Sequence, residues 1–408
     1  MSWLAWRPQL SGPLASRNFR LLAGCNVISR TGSAIAFVAI PFAVLRAGGS
    51  AADIGYVATA ELLPLTAVLL LGGVAADRLP RHQVMAAANA LQALAQGTAA
   101  ILLLTGQARV WELGVLAAAG GAAFGLYFPA ARGLLPQTVP ASQLPPANAL
   151  DRAGQNAAAI GGAAAGGLLV AVAGPGWALA IDALSFAVAG ALRLGMRFPD
   201  RPAPPGSSSM LHDLRAGWQE FASRRWLWLT VALFGVITAI SAATTTVLGP
   251  LVADTHLGGA RSWGLIVAGY SAGAVASGLV MTRVRPRLPL VAGMLAVPAF
   301  SLLLFALAVP LAAPLDAAAA TLSGACVEVF AVSWATTLQQ EIPPGKLSRV
   351  SAYDALGSFA VTPAGTVIAG PLAAAVGVRE VLIAGGVATV LLPGLALLLA
   401  EVRHLERR

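Results

Sequence analysis

Hydrophobic positions along this chain fall into twelve long runs, and a short polar segment separates each run from the next. A helix needs about 20 mostly apolar residues to cross the hydrocarbon core of a bilayer. The pattern therefore predicts an all-α polytopic membrane protein with twelve transmembrane helices. The predicted spans lie near 21–45, 54–76, 84–105, 111–131, 148–173, 177–196, 226–248, 262–282, 288–309, 314–336, 350–375 and 380–400.

The composition agrees with a lipid-facing surface. Of the 408 residues, 57% are hydrophobic and only 11% are charged, whereas a soluble domain carries about 25% charged residues. This leaves too few charges to coat a water-facing globule, so the lipid bilayer is the predicted partner of much of the surface. The formal net charge is +9, but the basic residues form short clusters rather than one stripe, and no nucleic-acid partner is predicted.

The polar segments differ in basic residues according to the side of the membrane on which they would lie. With a cytoplasmic N-terminus, the cytoplasmic segments contain 20 Lys and Arg residues and the opposite segments contain 4. Retention of Lys and Arg on the cytoplasmic side produces such a bias. We therefore expect a multi-pass protein of the plasma (inner) membrane with both termini in the cytoplasm.

The second half of the chain repeats the first at a shift of 203 residues. Residues 135–174 match residues 338–377 at 13 of 40 positions, where roughly four matches are expected by chance. The repeat predicts an N-terminal six-helix bundle (1–196), a cytoplasmic linker (197–225) and a C-terminal six-helix bundle (226–408). The linker is expected to contain a short amphipathic helix with four apolar residues at helical spacing: Leu211, Leu214, Trp218 and Phe221. Two parallel six-helix halves are typical of secondary transporters, which bind substrate between the halves.

A charged cluster interrupts the apolar pattern after the second run. Residues 73–82 read GVAADRLPRH, which resembles the signature between spans 2 and 3 of the major facilitator superfamily. Pro80 stands where the signature has a glycine, and His82 stands where it has a second basic residue. The matching residues are Gly73, Asp77, Arg78 and Arg81.

The resemblance implies the fold and alternating-access transport of that superfamily, and a gating role for this motif. Asp77 would cap the positive N-terminus of span 11, near 348–351, and would tie the two halves together when the inner gate is shut. Arg78 and Arg81 would keep Asp77 ionised. The alternative is that these two arginines only fix the topology of the chain.

A glycine-rich motif in span 5 gives a second resemblance. GGAAAGG at 161–167 is similar to the antiporter signature of the superfamily, with Ala163 in the place of a proline. The matching glycines are Gly162, Gly166 and Gly167. Close helix packing alone is the alternative explanation. The stretches 16–35, 178–192 and 348–365 also resemble the twelve-span drug:proton antiporter branch that contains macrolide-efflux proteins and the enterobactin exporter.

Charged residues within the spans are candidates for a transport pathway, because each costs at least about 2.5–3.5 kcal/mol at the bilayer centre. Asn26 and Arg30 share one face of span 1, and Glu61 lies near the middle of span 2. We hypothesise that Arg30 and Glu61 form a pair lining the cavity, with Glu61 as a proton site; the alternative is a static ion pair that only fixes packing. Glu328 in span 10 is a second candidate site for a proton or a cation.

Other polar residues of the spans are assigned to gating, hydrogen bonding or solvent. Asp151 and Arg152 in span 5, with Asp354 in span 11, are predicted to form gate ion pairs near the cytoplasmic surface. Asp182 and Asp316 lie near outer ends and are expected to be solvated. Three residues of span 3 are expected to hydrogen-bond between helices, outside any cavity: Asn89, Gln92 and Gln96.

The sequence thus predicts a monomeric, proton-coupled exporter of hydrophobic or amphipathic small molecules. The first alternative is a siderophore or secondary-metabolite exporter, because Arg30 would suit an anionic cargo. The second is a non-transporting membrane receptor or scaffold. No enzyme activity, cofactor or metal is predicted, since the chain has no Gly-rich phosphate loop with Lys-Ser/Thr and its four histidines are scattered outside the spans.

Overall fold

The computed structural model describes residues 12–196, 218–284, 286–310, 312–342, 350–351, 353–354, 357–358, 360–398 and 400–403, with backbone alone at 70–78, 132–133, 141 and 400. This described part is helical, with short turns between the helices. The twelve long helices are α1 (Arg17–Arg46), α2 (Ala51–Arg78), α3 (Arg81–Leu104), α4 (Val110–Leu134), α5 (Leu144–Ala173), α6 (Pro175–Leu194), α7 (Arg225–His256), α8 (Ala260–Met281), α9 (Pro289–Ala308), α10 (Ala313–Glu341), α11 (Thr362–Val376) and α12 (Val378–Leu397).

The twelve predicted spans are confirmed. Eleven of these helices are long and apolar enough to cross a membrane, and α11 is a shorter apolar helix. The prediction for span 11 began at residue 350, where the structure describes the chain only in part. Departures from a regular α-helix include Pro41 inside α1, a π-helical turn at Ala243–Leu248 in α7 and a 3₁₀ turn at Val297–Phe300 in α9.

The helices pack as two matching bundles. In the first bundle, α1 packs against α5 and α6, α2 against α4, and α3 against α4 and α6. In the second, α7 packs against α11 and α12, α8 against α10, and α9 against α10 and α12. Each contact of the first bundle therefore has its counterpart six helices later, as the sequence repeat predicts.

Repeated glycines occupy equivalent positions in the two bundles. A Cβ atom at Gly162 of α5 would lie 2.7 Å from the Thr31 carbonyl oxygen of α1. At its repeat mate, Gly365 of α11, a Cβ atom would lie 2.5 Å from the Ala239 carbonyl oxygen of α7. Both glycines allow two helix backbones to approach closely, which explains why the repeat keeps them.

The linker between the bundles is described only from residue 218 onward. The Trp218 ring lies 5.9 Å from the Phe221 ring and 5.5 Å from the Tyr353 ring, so the end of the linker packs against the chain that precedes α11. Leu211 and Leu214 lie outside the described residues. The amphipathic helix and the boundaries 1–196, 197–225 and 226–408 remain predictions.

The buried core is continuous across both bundles at one end of the molecule and divided at the other. We call the end at which the odd-numbered helices begin the basic end, and the other the opposite end. The cluster at the opposite end joins residues of both bundles, from Ile35 in α1 to Leu382 in α12. At the basic end, one cluster belongs to the first bundle, around Phe19, and a separate one to the second, around Trp226. In the described part of the chain, the bundles are joined at the opposite end and parted at the basic end.

Two helix crossings join the bundles at the opposite end. In the first, α5 meets α8: a Cβ atom at Gly167 would lie 2.6 Å from the Ala260 carbonyl oxygen and 2.8 Å from Cα of Gly264. In the second, α2 meets α11, where the Thr59 and Thr366 hydroxyl oxygens lie 2.9 Å apart. Small side chains let these backbones touch, and this contact closes the opposite end.

Candidate functional site

A cavity of about 550 Å³ lies between the two bundles. Helices α1 to α6 contribute to one wall, and α7, α8 and α9 contribute to the other. Most of the wall is aliphatic and aromatic, with rings from both bundles: Phe37, Phe124, Phe186, Trp263 and Tyr270. A cavity of this size and polarity is typical of sites for small organic molecules.

Two charged residues predicted for the pathway face this cavity. Glu61 of α2 and Arg30 of α1 both line it; Glu61 is half-buried and Arg30 is exposed. Glu61 is held in place by a close crossing, because Gly121 of α4 packs directly on its backbone carbonyl. The structure therefore fixes the Glu61 backbone while its carboxylate faces the cavity.

The predicted Arg30–Glu61 ion pair is not formed in this structure. Between these two described residues there is neither a hydrogen bond nor an ion pair with an N···O distance of 4.0 Å or less. The cause is helix packing, because α1 packs against α5 and α6 whereas α2 packs against α4.

The expected solvent exposure of Asp182 in α6 is wrong. Asp182 was expected to be solvated, but it is only 1% exposed and lines the cavity. Asp316 is likewise buried rather than solvated. Both sit in the first half of an antiparallel helix at the end where the bundles meet, so packing excludes solvent from them.

The prediction that the polar residues of α3 lie outside any cavity is wrong for two of them. Gln92 and Gln96 line the cavity, although they were expected to lie outside it. The small residues Ser33 and Ala36 of α1 line the same cavity, which extends to α3 and α6. Asn89 is fully buried, as an interhelical position requires, but its side-chain amide has no hydrogen-bond partner in the described structure.

Asn26 belongs to a buried polar network rather than to the cavity lining. Its amide nitrogen donates to Asp151 Oδ1 at 3.0 Å, and its amide oxygen accepts from Arg193 at 2.9 Å and from Tyr127 at 3.4 Å. Arg193 also donates to the Tyr127 hydroxyl at 3.0 Å, and Gln155 donates to Asp151 Oδ2 at 2.8 Å. This network connects α1, α4, α5 and α6 within the first bundle.

The predicted gate ion pairs are not present either. Asp151 is bound within the first bundle, and Asp354 accepts hydrogen bonds from the Trp334 indole nitrogen at 3.1 Å. Arg152 is exposed, and within the described residues no ion pair joins it to either aspartate. It lies instead within Coulombic range of Glu328 of α10, across the space between the bundles.

Glu328 is not among the described residues that line the cavity. A Cβ atom at Gly278 of α8 would lie 3.6 Å from its Cγ and Oε1 atoms. Its side chain thus lies along α8, and its carboxylate is half-buried. Of the four predicted pathway residues, the structure brings Arg30 and Glu61 to the cavity and places Asn26 and Glu328 elsewhere.

The structure agrees with the placement of the charged signature at a helix end. Helix α2, which contains Gly73 and Asp77, ends at Arg78, and α3 begins at Arg81. Only the backbone is described at Gly73, Asp77 and Arg78, and the chain at 343–349 lies outside the described residues. The contact between Asp77 and the start of span 11 therefore remains a prediction.

The antiporter-like glycines serve two different crossings. Gly162 and Gly166 pack on α1 of the same bundle; a Cβ atom at Gly166 would lie 2.9 Å from Cα of Ile35. Gly167 instead packs on α8 of the other bundle. The motif therefore joins α5 to both α1 and α8, and only its last glycine lies between the bundles.

The family comparison decides the class of the protein. The family model described as transmembrane secretion effector matches residues 9–408. The chain belongs to the transmembrane secretion effector family. The resemblance to the major facilitator superfamily is thereby confirmed, and this member of the family is a transporter rather than an enzyme.

This transmembrane secretion effector is similar to curated efflux proteins over most of its length. It is 28% identical over 395 residues to the multidrug efflux pump Tap of Mycolicibacterium fortuitum, covering 92% of this chain and 94% of the relative. It is 27% identical over 402 residues to the multidrug efflux pump Tap of Mycobacterium tuberculosis, covering 95% and 94%.

Solved transporters share the fold of this family member at low sequence identity. The nucleoside transporter NupG superposes with a TM-score of 0.74 at 14% identity, covering 94% of this chain and 98% of NupG. A POT family transporter in complex with 5-aminolevulinic acid superposes with a TM-score of 0.77 at 9% identity, covering 95% and 97%. These likenesses show the fold.

Proposed function

We propose that this transporter exports hydrophobic or amphipathic small molecules across the plasma membrane in exchange for protons. The observation that carries the proposal is the mostly apolar cavity between the bundles, whose described lining contains two acids, the half-buried Glu61 of α2 and the buried Asp182 of α6. The similarity to the Tap multidrug efflux pumps over nearly the whole chain supports export of such molecules.

The positive-inside rule assigns the basic end, and with it both termini, to the cytoplasm. Because the described parts of the bundles share no buried cluster at that end, we propose that the cavity opens toward the cytoplasm, as loading of an exported cargo requires. Rocking of the two bundles then exposes the cavity to the other side. One chain supplies both bundles, so we propose a functional monomer.

Glu61 supplies the proton site in this proposal. A carboxylate that faces a largely apolar cavity is costly to keep ionised without a partner, and Arg30 does not pair with it here. A proton taken up from outside would neutralise Glu61 and permit the return of the empty carrier. Release of that proton into the cytoplasm resets the site for the next cargo molecule.

Two contacts at the basic end would hold the inner gate shut in the other conformation. One is the predicted capping of span 11 by Asp77. The other is the approach of Arg152 of α5 to Glu328 of α10, which lie within Coulombic range of each other. Closure of the gap between the bundles would bring these opposite charges into contact, and reopening would separate them.

The test is transport into inside-out membrane vesicles with an imposed pH gradient, for a panel of neutral, cationic and anionic compounds. We expect Glu61→Gln to reduce gradient-driven transport at least tenfold while its membrane level stays unchanged. The matched control is Asp254→Asn, which alters an exposed acid at the opposite end of α7 and should transport like the parent. Gradient-driven transport that survives in Glu61→Gln would remove this residue from the mechanism.

A siderophore or anionic secondary metabolite is the second candidate cargo. The exposed Arg30 side chain in the cavity favours it, because a guanidinium binds carboxylates and phosphates well. Selective transport of anions in the same panel, lost in Arg30→Gln, would identify this cargo class.

A further inference from the structure

Trp263 of α8 lies at the end of the cavity that points away from the basic end. Helix α8 begins at the opposite end, at Ala260. Five of its residues line the cavity: Trp263, Ile266, Val267, Tyr270 and Ser271. Of these, Trp263 is nearest the opposite end, and it is the largest fully buried side chain in the described part of the protein. A large ring therefore lies between the cavity and the closed end of the molecule.

The Trp263 ring extends from α8 to α7, where it packs on a glycine. Gly249 directly follows the π-helical turn of α7, and a Cβ atom at this position would collide with the Cη2 and Cζ3 atoms of the ring. The Thr244 carbonyl oxygen of the π-helical turn bounds the same space, at 2.8 Å from that Cβ position. The absence of a side chain at Gly249 thus permits the ring to lie against the α7 backbone.

Along α8, Trp263 adjoins the contact that joins the two bundles. Its neighbours Ala260 and Gly264 pack on Gly167 of α5, and Trp263 belongs to the buried cluster that both bundles share at the opposite end. Separation of the bundles at this end would move α5 away from α8 and divide that cluster. The burial of the Trp263 ring therefore depends on closure of the opposite end.

Packing alone holds the Trp263 ring in this position. Its indole nitrogen is buried and has no hydrogen-bond partner among the described residues. A buried donor without a partner is costly, and exposure to water removes this cost. Movement of the ring away from Gly249 breaks no side-chain hydrogen bond in the described structure, so the ring is free to change position when the bundles separate.

We propose that the Trp263 ring is the outer plug of the cavity. It separates the cavity from the opposite side while the basic end is open, and it leaves its position over Gly249 when the opposite end opens. An apolar constriction of this kind excludes water and ions without a charged gate. The inference rests on the alternating access of the proposed function, but it requires neither proton coupling nor a particular cargo.

The experiment measures access to the cavity from the opposite side in right-side-out membrane vesicles. Val267 lines the cavity about one turn farther along α8 than Trp263. A Val267→Cys thiol, in a background without Cys25 and Cys326, therefore reports on the space behind the plug. A membrane-impermeant maleimide is added outside, and a permeant maleimide gives the total reactive thiol. We expect Trp263→Ala to raise the rate of labelling by the impermeant reagent at least about tenfold.

Three further variants distinguish a plug from a residue that only packs. Trp263→Phe keeps an aromatic ring between α8 and α7 and should be labelled within about twofold of the parent rate. Trp263→Leu keeps an apolar side chain that is shorter than the indole, so it should also be labelled faster than the parent. Trp228→Ala is the matched control, because it removes an exposed tryptophan of the same bundle that is not among the described residues of the cavity wall. Its rate should equal that of the parent.

Labelling of Trp263→Ala at the parent rate would overturn the inference, and so would equally fast labelling of Trp263→Ala and Trp263→Phe. Failure of both the alanine and the leucine variants to reach the membrane would do the same, because the ring would then be a core residue that folding requires. The measurement needs no cargo. Absence of gradient-driven export by the wild type would therefore overturn the proposed function, whereas the labelling rates alone decide whether Trp263 is the plug.

Discussion

Replacement of Gly167 by leucine is expected to abolish export and to hold the transporter open at the opposite end. Even a Cβ atom at this position would lie 2.6 Å from the Ala260 carbonyl oxygen and 2.8 Å from Cα of Gly264. Overpacking costs about 1–3 kcal/mol where side chains can move aside. Here the obstructing atoms belong to the backbone of α8 and cannot move aside, so we expect a cost at the upper end of this range. A cost of about 3 kcal/mol shifts a two-state equilibrium about 150-fold, away from the state in which α5 touches α8.

Accessibility labelling measures this shift. In a background without Cys25 and Cys326, a Thr59→Cys substitution places a thiol at the closed α2–α11 crossing. A membrane-impermeant maleimide should label it from the opposite side in Gly167→Leu and not in the parent. Gly161→Leu is the matched control within the same motif, because a Cβ atom at Gly161 meets nothing within 4 Å. Equal behaviour of the two leucine variants would contradict a role of this crossing in closing the transporter.

Replacement of Arg193 by methionine is expected to destabilise the first bundle by about 2–4 kcal/mol. Arg193 is fully buried, and Asn26 lies between it and Asp151. The Asn26 amide nitrogen donates to the Asp151 carboxylate, and the Asn26 amide oxygen accepts from the Arg193 guanidinium. Removal of the guanidinium leaves Asp151 as a buried carboxylate with only neutral donors. The apparent unfolding midpoint of purified protein should fall by about 5–10 °C.

Two further variants identify the source of this effect. Asn26→Leu breaks the hydrogen bonds to Asp151 and Arg193 and should cost about as much as Arg193→Met. Arg152→Met removes an exposed arginine next to Asp151 and should change stability by less than about 0.5 kcal/mol. A midpoint of Arg193→Met equal to that of Arg152→Met would show that the network contributes nothing to stability.

The helices and their duplication could be predicted because both depend on patterns that a single sequence carries. The length of an apolar run follows from the thickness of the bilayer, and all twelve runs correspond to helices. The repeat predicts equivalent contacts, which Gly162 and Gly365 make with α1 and α7. Glu61 and Arg30 were assigned to the cavity from the cost of a charge in the membrane alone.

The errors concern which helix face a polar residue occupies. Asp182 was judged by its distance from the helix end and was expected in solvent, and Arg193 of the same helix was not singled out. The signal that was missed is their helical spacing: together with Ser185 and Ala189 they form one stripe along α6, and this whole stripe is buried. Such a stripe of small and charged residues indicates a face turned toward the bundle. The Arg30–Glu61 pair failed for another reason, since the relative heights of α1 and α2 depend on their packing.

Pro41 of α1 and the π-helical turn of α7 occupy equivalent levels of the two halves. Pro41 of α1 removes a backbone hydrogen bond, and its repeat mate, Thr244, lies within the π-helical turn of α7, where the hydrogen-bond ladder is widened. The hydrogen-bond ladder of each half is thus weakened at the level of the cavity wall, between Ile40 and Ala43 in one half and between Ser241 and Thr245 in the other. We therefore expect α1 and α7 to bend most easily at this level, so that the two halves can adjust to cargo molecules of different size.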